Sequence, residues 1–415
     1  MTDAAHLLVA EKPALLAVFA LTYLGIAAGR VPGLKLDRTG IAMLGAIAMM
    51  IFSGLPTADV VNFINWPTIL LLFGFFVLSA QLRLSGFFDM VAGGIARQLE
   101  NPARFLLILM LATAGLSAFL NHDIVCFVFT PVVAEALLRR QLNPVPFLVA
   151  LAVASNIGAA ETYIGNPQDM MIAQLAGLGF GPYAAWSLVP VLFALGCAYA
   201  IVWLMARHRL AGTTAFNPAA APRPFDRAHT IKGLVILVLV IGLFFSAVPK
   251  EIVVLTAAGI HLASPKFRTG ELLGLVDWPI LVLFMSLFVV TGAFQTTGCG
   301  GQALQWLADH GFNLNTPSNL AWVAAALSNL INNSAAVMLL VKMVHLSDPV
   351  TAYTLALANS FGGSLLIVGS VSNIIVVQQA REMGITISFR DFARFGVPIT
   401  LAALAGLIGW VTLIN

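Results

Sequence analysis

Charge is what this chain has least of. Asp, Glu, Lys and Arg make up only 9% of its 415 residues, against about a quarter in ordinary soluble domains. That composition excludes a soluble globular protein, and no nucleic-acid partner is expected of it. Cysteine is scarce as well. Cys126, Cys197 and Cys299 stand far apart with no CxxC, a pattern of apolar filler rather than of a disulfide framework or a metal site. HExxH, GxSxG, P-loop and dinucleotide fingerprints are all missing from the sequence, which counts against an enzyme and against an ATP-driven pump. No cofactor is implied. A basic segment followed by a cleavage site is missing at the start, so the first apolar run, from Pro13, is expected to be retained.

Apolar length is what the chain has in excess. Its hydrophobic share is 60% and its mean hydropathy is +0.94. Runs of about 17 to 25 apolar residues, the length that crosses a bilayer, recur from end to end. The predicted fold is an all-α polytopic membrane protein. Expected spans are 13–30, 39–54, 66–83, 184–206, 231–247, 250–265, 278–294 and 390–413, with amphipathic pieces at 86–98 and 299–310. Four longer segments are interrupted by polar residues: 104–138, 146–177, 317–345 and 351–383. Residues 207–230, Arg-bearing and Pro/Ala-rich, read as a cytoplasmic linker.

The pattern then starts again, and internal repeats bear on the whole fold. Asn65-Trp66-Pro67 answers Asp277-Trp278-Pro279, 212 positions later; LSAFLNHD from Leu116 answers LSNLINNS from Leu327, 211 positions later. LAVASNIGAAETYIGNPQD from Leu151 answers LALANSFGGSLLIVGSVSN from Leu355, 204 positions later, placing Gly158 on Gly362 and Gly165 on Gly369. Segments 104–138 and 317–345 each carry a polar tip halfway along and are expected to be re-entrant hairpins with arms of about half a bilayer. Residues 1–206 and 231–415 then make five crossings each. An odd number inverts the second half relative to the first, as in the inverted repeats of secondary transporters.

Lysine and arginine test that count, because they gather in cytoplasmic loops. With the N-terminus outside, eighteen of the 21 basic residues fall on the cytoplasmic side, leaving Lys12, Lys250 and Lys342. The C-terminus is then outside too, and the hairpins enter from opposite faces. The expected setting is a bacterial inner membrane.

Backbone that breaks inside hydrocarbon must line a protein-buried or water-filled site, because unpaired polar groups there cost several kcal/mol each. Candidate binding residues of the first half are Asn121, His122 and Asp123 at the tip, and Ser155, Asn156, Gly158, Glu161, Thr162, Gly165 and Asn166 at the broken helix. Those of the second are Asn332, Asn333 and Ser334, then Asn359, Ser360, Gly362, Gly363, Ser364, Gly369, Ser370, Ser372 and Asn373. Half-helix N-termini suit an anion, and loop carbonyls suit a small cation such as sodium, including at the hairpin tips. The glycines are expected to admit a ligand close to the backbone and to take positive φ, with helix packing as the competing explanation. Asp123 is the first candidate for moving protons, since a carboxyl within a membrane is functional by default. Asp169, also deep in the membrane, is a weaker candidate, expected to cap the second half-helix or to face its packing partner. Glu161 has Leu365 in the matching place.

These blocks resemble the ion transporter superfamily of arsenite permeases, D-type sodium/proton antiporters and sodium-coupled dicarboxylate and sulfate transporters. FLNHDIVCFVFTP (119–131) looks like the first permease tip, and SNLINNSAAVM (328–338) is similar to the second. SNIGAAETYIGNPQDMMI (155–172) looks like the broken helix of general anion permeases, with Glu161 where a small residue is expected. The resemblance implies inverted repeats, a scaffold and a transport part, a homodimer and an elevator-like motion. The expected function is secondary transport of a small inorganic or carboxylate anion, coupled to H+ or Na+. Metalloid efflux, sodium/proton antiport and a gated channel remain alternatives.

Overall fold

The structure is a computed structural model that describes residues 2–29, 35–207, 224–299 and 316–414, with 305, 309, 313 and 314; side chains are described from residue 13. The first half runs α1 (Thr2–Ala28), α2 (Arg38–Ser53), α3 (Thr57–Val61), α4 (Trp66–Leu84), α5 (Phe87–Ala96), α6 (Pro102–Phe119), α7 (His122–Arg139), α8 (Val145–Ala159), α9 (Pro167–Ala176) and α10 (Phe180–Ala206). The second runs α11 (Arg227–Leu243), α12 (Lys250–Leu262), α13 (Thr269–Leu273), α14 (Trp278–Thr296), α15 (Pro317–Ile331), α16 (Asn333–Leu340), α17 (Pro349–Gly362), a 3-10 turn (Ile367–Gly369), α18 (Val371–Glu382) and α19 (Phe389–Ile414). Among the described residues the protein is all-helical, with no strand. Five helices, α4, α6, α10, α14 and α19, are each long and apolar enough to cross a membrane.

All four polar interruptions are real breaks. Leu120 and Asn121 separate α6 from α7, Asn332 separates α15 from α16, and residues 160–166 and 363–370 divide the two broken helices. Local chemistry starts each new segment. Asn121, Asn166 and Asn332 cap α7, α9 and α16 by accepting from the backbone N–H of Asp123, Asp169 and Ser334, which satisfies N–H groups that have no partner within the helix.

Several boundaries differ from expectation. α1 starts at Thr2 rather than Pro13, so its helix precedes the apolar run. α6 and α7 have 18 residues each, about 27 Å at the helical rise, which exceeds half-bilayer arms. α7 packs on α5, and Arg83 at the end of α4 lies 4.4 Å from the Phe127 ring. α11 begins at Arg227, inside the expected linker. Residues 208–223 of that linker, and most of the amphipathic piece 299–310, lie outside the described residues.

Packing repeats between the halves. α8 packs on α6 as α17 packs on α15; α1 pairs with α2 as α11 pairs with α12. A Cβ on Gly158 would strike the backbone of Ala114, and one on Gly362 would strike Ala325, which is 211 positions after Ala114. Across the halves, α2 packs on α14 and α12 on α4, while α10 lies against α19.

Contacts also join segments that the charge pattern puts on one side. Gln81 Nε2 donates to His229 O at 2.8 Å, the Asp226 N–H to Ser85 O at 2.9 Å, and Thr39 Oγ1 to Pro279 O at 3.3 Å. The Lys266 ammonium, then His229, holds the Asp226 carboxyl below the usual carboxylate range.

Candidate functional site

Hydrogen bonds between buried side chains draw the interrupted segments together. His122, at the first tip, places Nδ1 3.2 Å from Gly165 O, and Ser155 Oγ donates to His122 O at 3.2 Å. The second tip joins through Ser334 Oγ, which accepts from Gln168 Nε2 at 2.7 Å. Between the broken helices, Asn156 Nδ2 donates to Asn373 Oδ1 at 2.8 Å, and Ser372 Oγ donates to Asn156 Oδ1 at 3.1 Å. Asn166 Nδ2 donates to Ser360 Oγ at 2.9 Å and to Asp169 Oδ2 at 2.7 Å, while Ser360 Oγ donates to the same Asp169 oxygen at 3.3 Å.

The repeat offset organises these contacts. Asn156 corresponds to Ser360, and Asp169 to Asn373. Asn156–Asn373 and Ser360–Asp169 are therefore one interaction made twice, once between amides and once between a hydroxyl and a carboxylate. Asp169 is more than a helix cap, and Gln168 is not among the candidates expected from sequence. Both are at most 4% exposed and bond directly into the cluster. The missed signal was the equivalence of Asp169 with Asn373, already present in the alignment of the halves.

Other candidates sit at the edge of the network. Asn121 turns its backbone N–H toward Ser79 Oγ at 3.4 Å. Thr162 Oγ1 donates to Ala118 O, tying the first break to α6. Ser370 and Ser372 bond each other at 2.8 Å. Asn333 bonds only its neighbour, the N–H of Ser334. Glu161 is half-buried, and its Oε2 has no hydrogen-bond partner. It does not join the cluster.

The glycines correct one expectation. None of Gly158, Gly165, Gly362, Gly363 or Gly369 has positive φ; that conformation falls instead on Asn332, at φ 77°. Gly158 and Gly362 admit neighbouring helices, and a Cβ on Gly165 would meet the carbonyls of Ala159 and Ser117. Close approach is needed here, but it is the approach of protein backbone.

Several buried polar atoms in or beside the cluster lack partners: both amide atoms of Asn359, the Ser364 hydroxyl, Gln168 Oε1, Asp123 Oδ1 and Asp169 Oδ1. Such atoms are rare in a folded interior and call for a ligand, ion or water. Asp123 has a nearby counterpart, because His122 Nε2 lies 3.4 Å from Oδ1. With Nδ1 donating to the Gly165 carbonyl, Nε2 is the ring nitrogen that faces Asp123. Asp277 caps α14 just outside the span; burial, and then the Asp123 carboxylate, push it up to about 6.

Among the described residues, no serine or cysteine side chain bonds the His122 ring, whose partners are Gly165 O and Asp123. Comparisons with known proteins point to transport. An uncharacterized transporter of Mycobacterium tuberculosis is 30% identical over 414 residues, covering 93% of this chain and 95% of its own length. The rice silicon efflux transporter LSI3 is 26% identical, covering 90% and 92%. The crystal structure of the Alcanivorax borkumensis YdaH transporter superposes with a TM-score of 0.60 at 15% identity, covering 97% of this chain and 98% of that one, a likeness of fold. The family model described as "Citrate transporter" matches residues 23–353. The chain is a membrane transporter and belongs to the citrate transporter family.

Proposed function

We propose that the protein is a secondary active transporter of a small anion, carboxylate or inorganic, coupled to a cation gradient. One observation carries the reading: Asn359 is fully buried among the broken helices with neither amide atom partnered. An amide left so in a membrane interior costs several kcal/mol, and an anion accepting from its Nδ2 removes much of that cost. The N-termini of α7, α9, α16 and α18 add positive dipole ends to the same network.

Inverted repeats are supported by the reciprocal packing of α2 on α14 and of α4 on α12. An elevator-type motion is supported by how the two halves differ. α16 packs on α14, and α9 packs on α4 more closely than the equivalent α18 packs on α14, whereas α7 meets α4 through the Arg83–Phe127 contact. Asp123 lies near Asp277, at the cytoplasmic end of α14 in the expected topology. Displacement of hairpins and broken helices toward the cytoplasm produces both features. A homodimer, outside termini and an inner-membrane setting belong to the same reading.

Uptake into proteoliposomes tests it, with citrate, succinate, sulfate, arsenite and silicic acid offered under imposed H+ or Na+ gradients. Saturable, gradient-dependent accumulation of at least one carboxylate or inorganic anion is expected, and Asn359→Ala should raise its KM. Movement of silicic acid or arsenite alone would favour the metalloid reading, which the rice relative's name motivates. Sodium exchanged for protons without an anion would favour an antiporter.

A further inference from the structure

We infer that Asp169 holds an exchangeable proton on Oδ1, and that this proton is the coupling ion of the transport proposed above; the coupling half rests on that reading. The warrant is a comparison of the two breaks atom by atom. They share a backbone: Glu161 N donates to Gly158 O as Leu365 N does to Gly362 O, and Gly165 N to Thr162 O as Gly369 N does to Leu366 O. In each, the third residue of the following break or half-helix accepts from the other half: Asn373 Oδ1 from Asn156, Asp169 Oδ2 from Ser360.

The difference lies in the remaining atom. Asn373 Nδ2 donates to Gly363 O at 2.7 Å and to Leu366 O at 2.9 Å. Subtracting the 204-residue offset, the equivalent carbonyls are those of Ala159 and Thr162, and the atom equivalent to Nδ2 is Asp169 Oδ1. Where the second half has a donor facing two acceptors, the first half has an acceptor, buried and without a partner. A carboxylate oxygen repels carbonyls placed there. A carboxylic acid does not, because its O–H donates to one of them as the amide does.

No counter-charge offers another solution. Asp169 is 0% exposed, and among the described residues no Lys, Arg or His lies within ion-pair distance of it. α8 and α16 carry no titratable side chain, α4 carries only Arg83 at its far end, and α17 carries Tyr353. Glu161 in the preceding break and Tyr183 of α10 are the other titratable groups in range, and neither supplies positive charge. The N-terminus of α9 and the bonds from Asn166 and Ser360 favour an anion by about 2 kcal/mol at most for the dipole, against several kcal/mol for burying an unpaired charge. Asp123 differs, since His122 stands beside it. The step is protonation alone: hydronium gives its proton to Oδ1 and leaves as water on one side, and the O–H breaks to water on the other.

Infrared difference spectroscopy of the protein in nanodiscs, titrated across the neutral range in H2O and D2O, decides the site without any substrate. In an Asp277→Asn background, which removes the carboxyl that titrates near 6, a protonated-carboxyl C=O band that shifts in D2O is expected to be present with and without Glu135→Gln, and to be lost on adding Asp169→Asn. The variant supplies the amide that Asn373 already carries, and a monodisperse, unshifted melting profile checks its fold. Persistence of the whole band in D169N overturns the inference. Proteoliposomes with citrate as the probe test coupling: the pH-driven accumulation ratio should fall to about one in D169N. Unchanged pH-driven accumulation in D169N, or sodium-driven, pH-independent accumulation in the wild type, overturns the coupling role. Absence of citrate movement in the wild type bears on the transport reading, and the infrared result still decides the proton.

Discussion

Asp277 shows how one side chain reports the arrangement around it. Burial raises its pKa from 3.8 to about 6, with the Asp123 carboxylate as the next cause. A carboxyl whose folded value is raised contributes fully below its ordinary value, and that contribution is lost as pH rises through the folded value. The account therefore predicts that wild-type stability declines between about pH 4 and pH 6 relative to Asp277→Asn, which keeps an oxygen to accept from the Ile280 N–H. Melting curves of the two proteins at several pH values check this; parallel curves would contradict it. At this scale the sequence was legible in part. Asn121, Asn166 and Asn332 announce their helix starts because a cap is a local interaction. The bonds Asn156–Asn373 and Asp169–Ser360 are not local: they span 217 and 191 positions. Only the internal alignment hinted at them, and it had to be read for pairs of partners rather than for matching letters.

Among elements, the breaks were visible because polar residues interrupt apolar runs that otherwise continue. The lengths of α6 and α7 were not, because no residue marks where a helix leaves the bilayer and continues in water or against α5. The glycines were visible, but their use was ambiguous from sequence, since a ligand and a neighbouring helix ask for the same missing Cβ. The structure gives Gly158 to α6 and Gly362 to α15. Gly158→Val and Gly362→Val are each expected to lower stability by about 1–3 kcal/mol or more through overpacking. Gly115→Ala, in α6 where a Cβ meets nothing within 4 Å, should be neutral or stabilise by up to about 1 kcal/mol. Thermal melting in detergent distinguishes these outcomes. Equal losses at all three sites would contradict the packing assigned here.

At the scale of the molecule, helix partners tell two kinds of story. Pairs within a half repeat, as α8 with α6 and α17 with α15, whereas α15 packs on α1 and α9 on α4 more closely than their counterparts α6 on α11 and α18 on α14 do. The proposed motion exchanges that second set. Cysteines at Arg83 and Phe127, whose native side chains lie 4.4 Å apart, should be joined by a short reducible cross-linker once Cys126, Cys197 and Cys299 are replaced. Uptake should stop on cross-linking and return on reduction; unchanged uptake of the linked protein would contradict the motion. The apolar runs made the all-helical membrane architecture legible, because the length of an apolar helix is what a bilayer demands of it. Which half is displaced was not legible, since both halves carry the same interfaces and the preference between them is a small energy difference.

The central claim is gradient-coupled transport of an anion. Its most direct measurement follows anion content, lumenal pH and current together in proteoliposomes with an imposed proton gradient. The account predicts saturable accumulation above the external concentration, proton entry in fixed proportion to the anion, and collapse of both with a protonophore. An unsaturable flux that only equilibrates the anion, with steady current indifferent to the proton gradient, would contradict it and mark the protein as a channel.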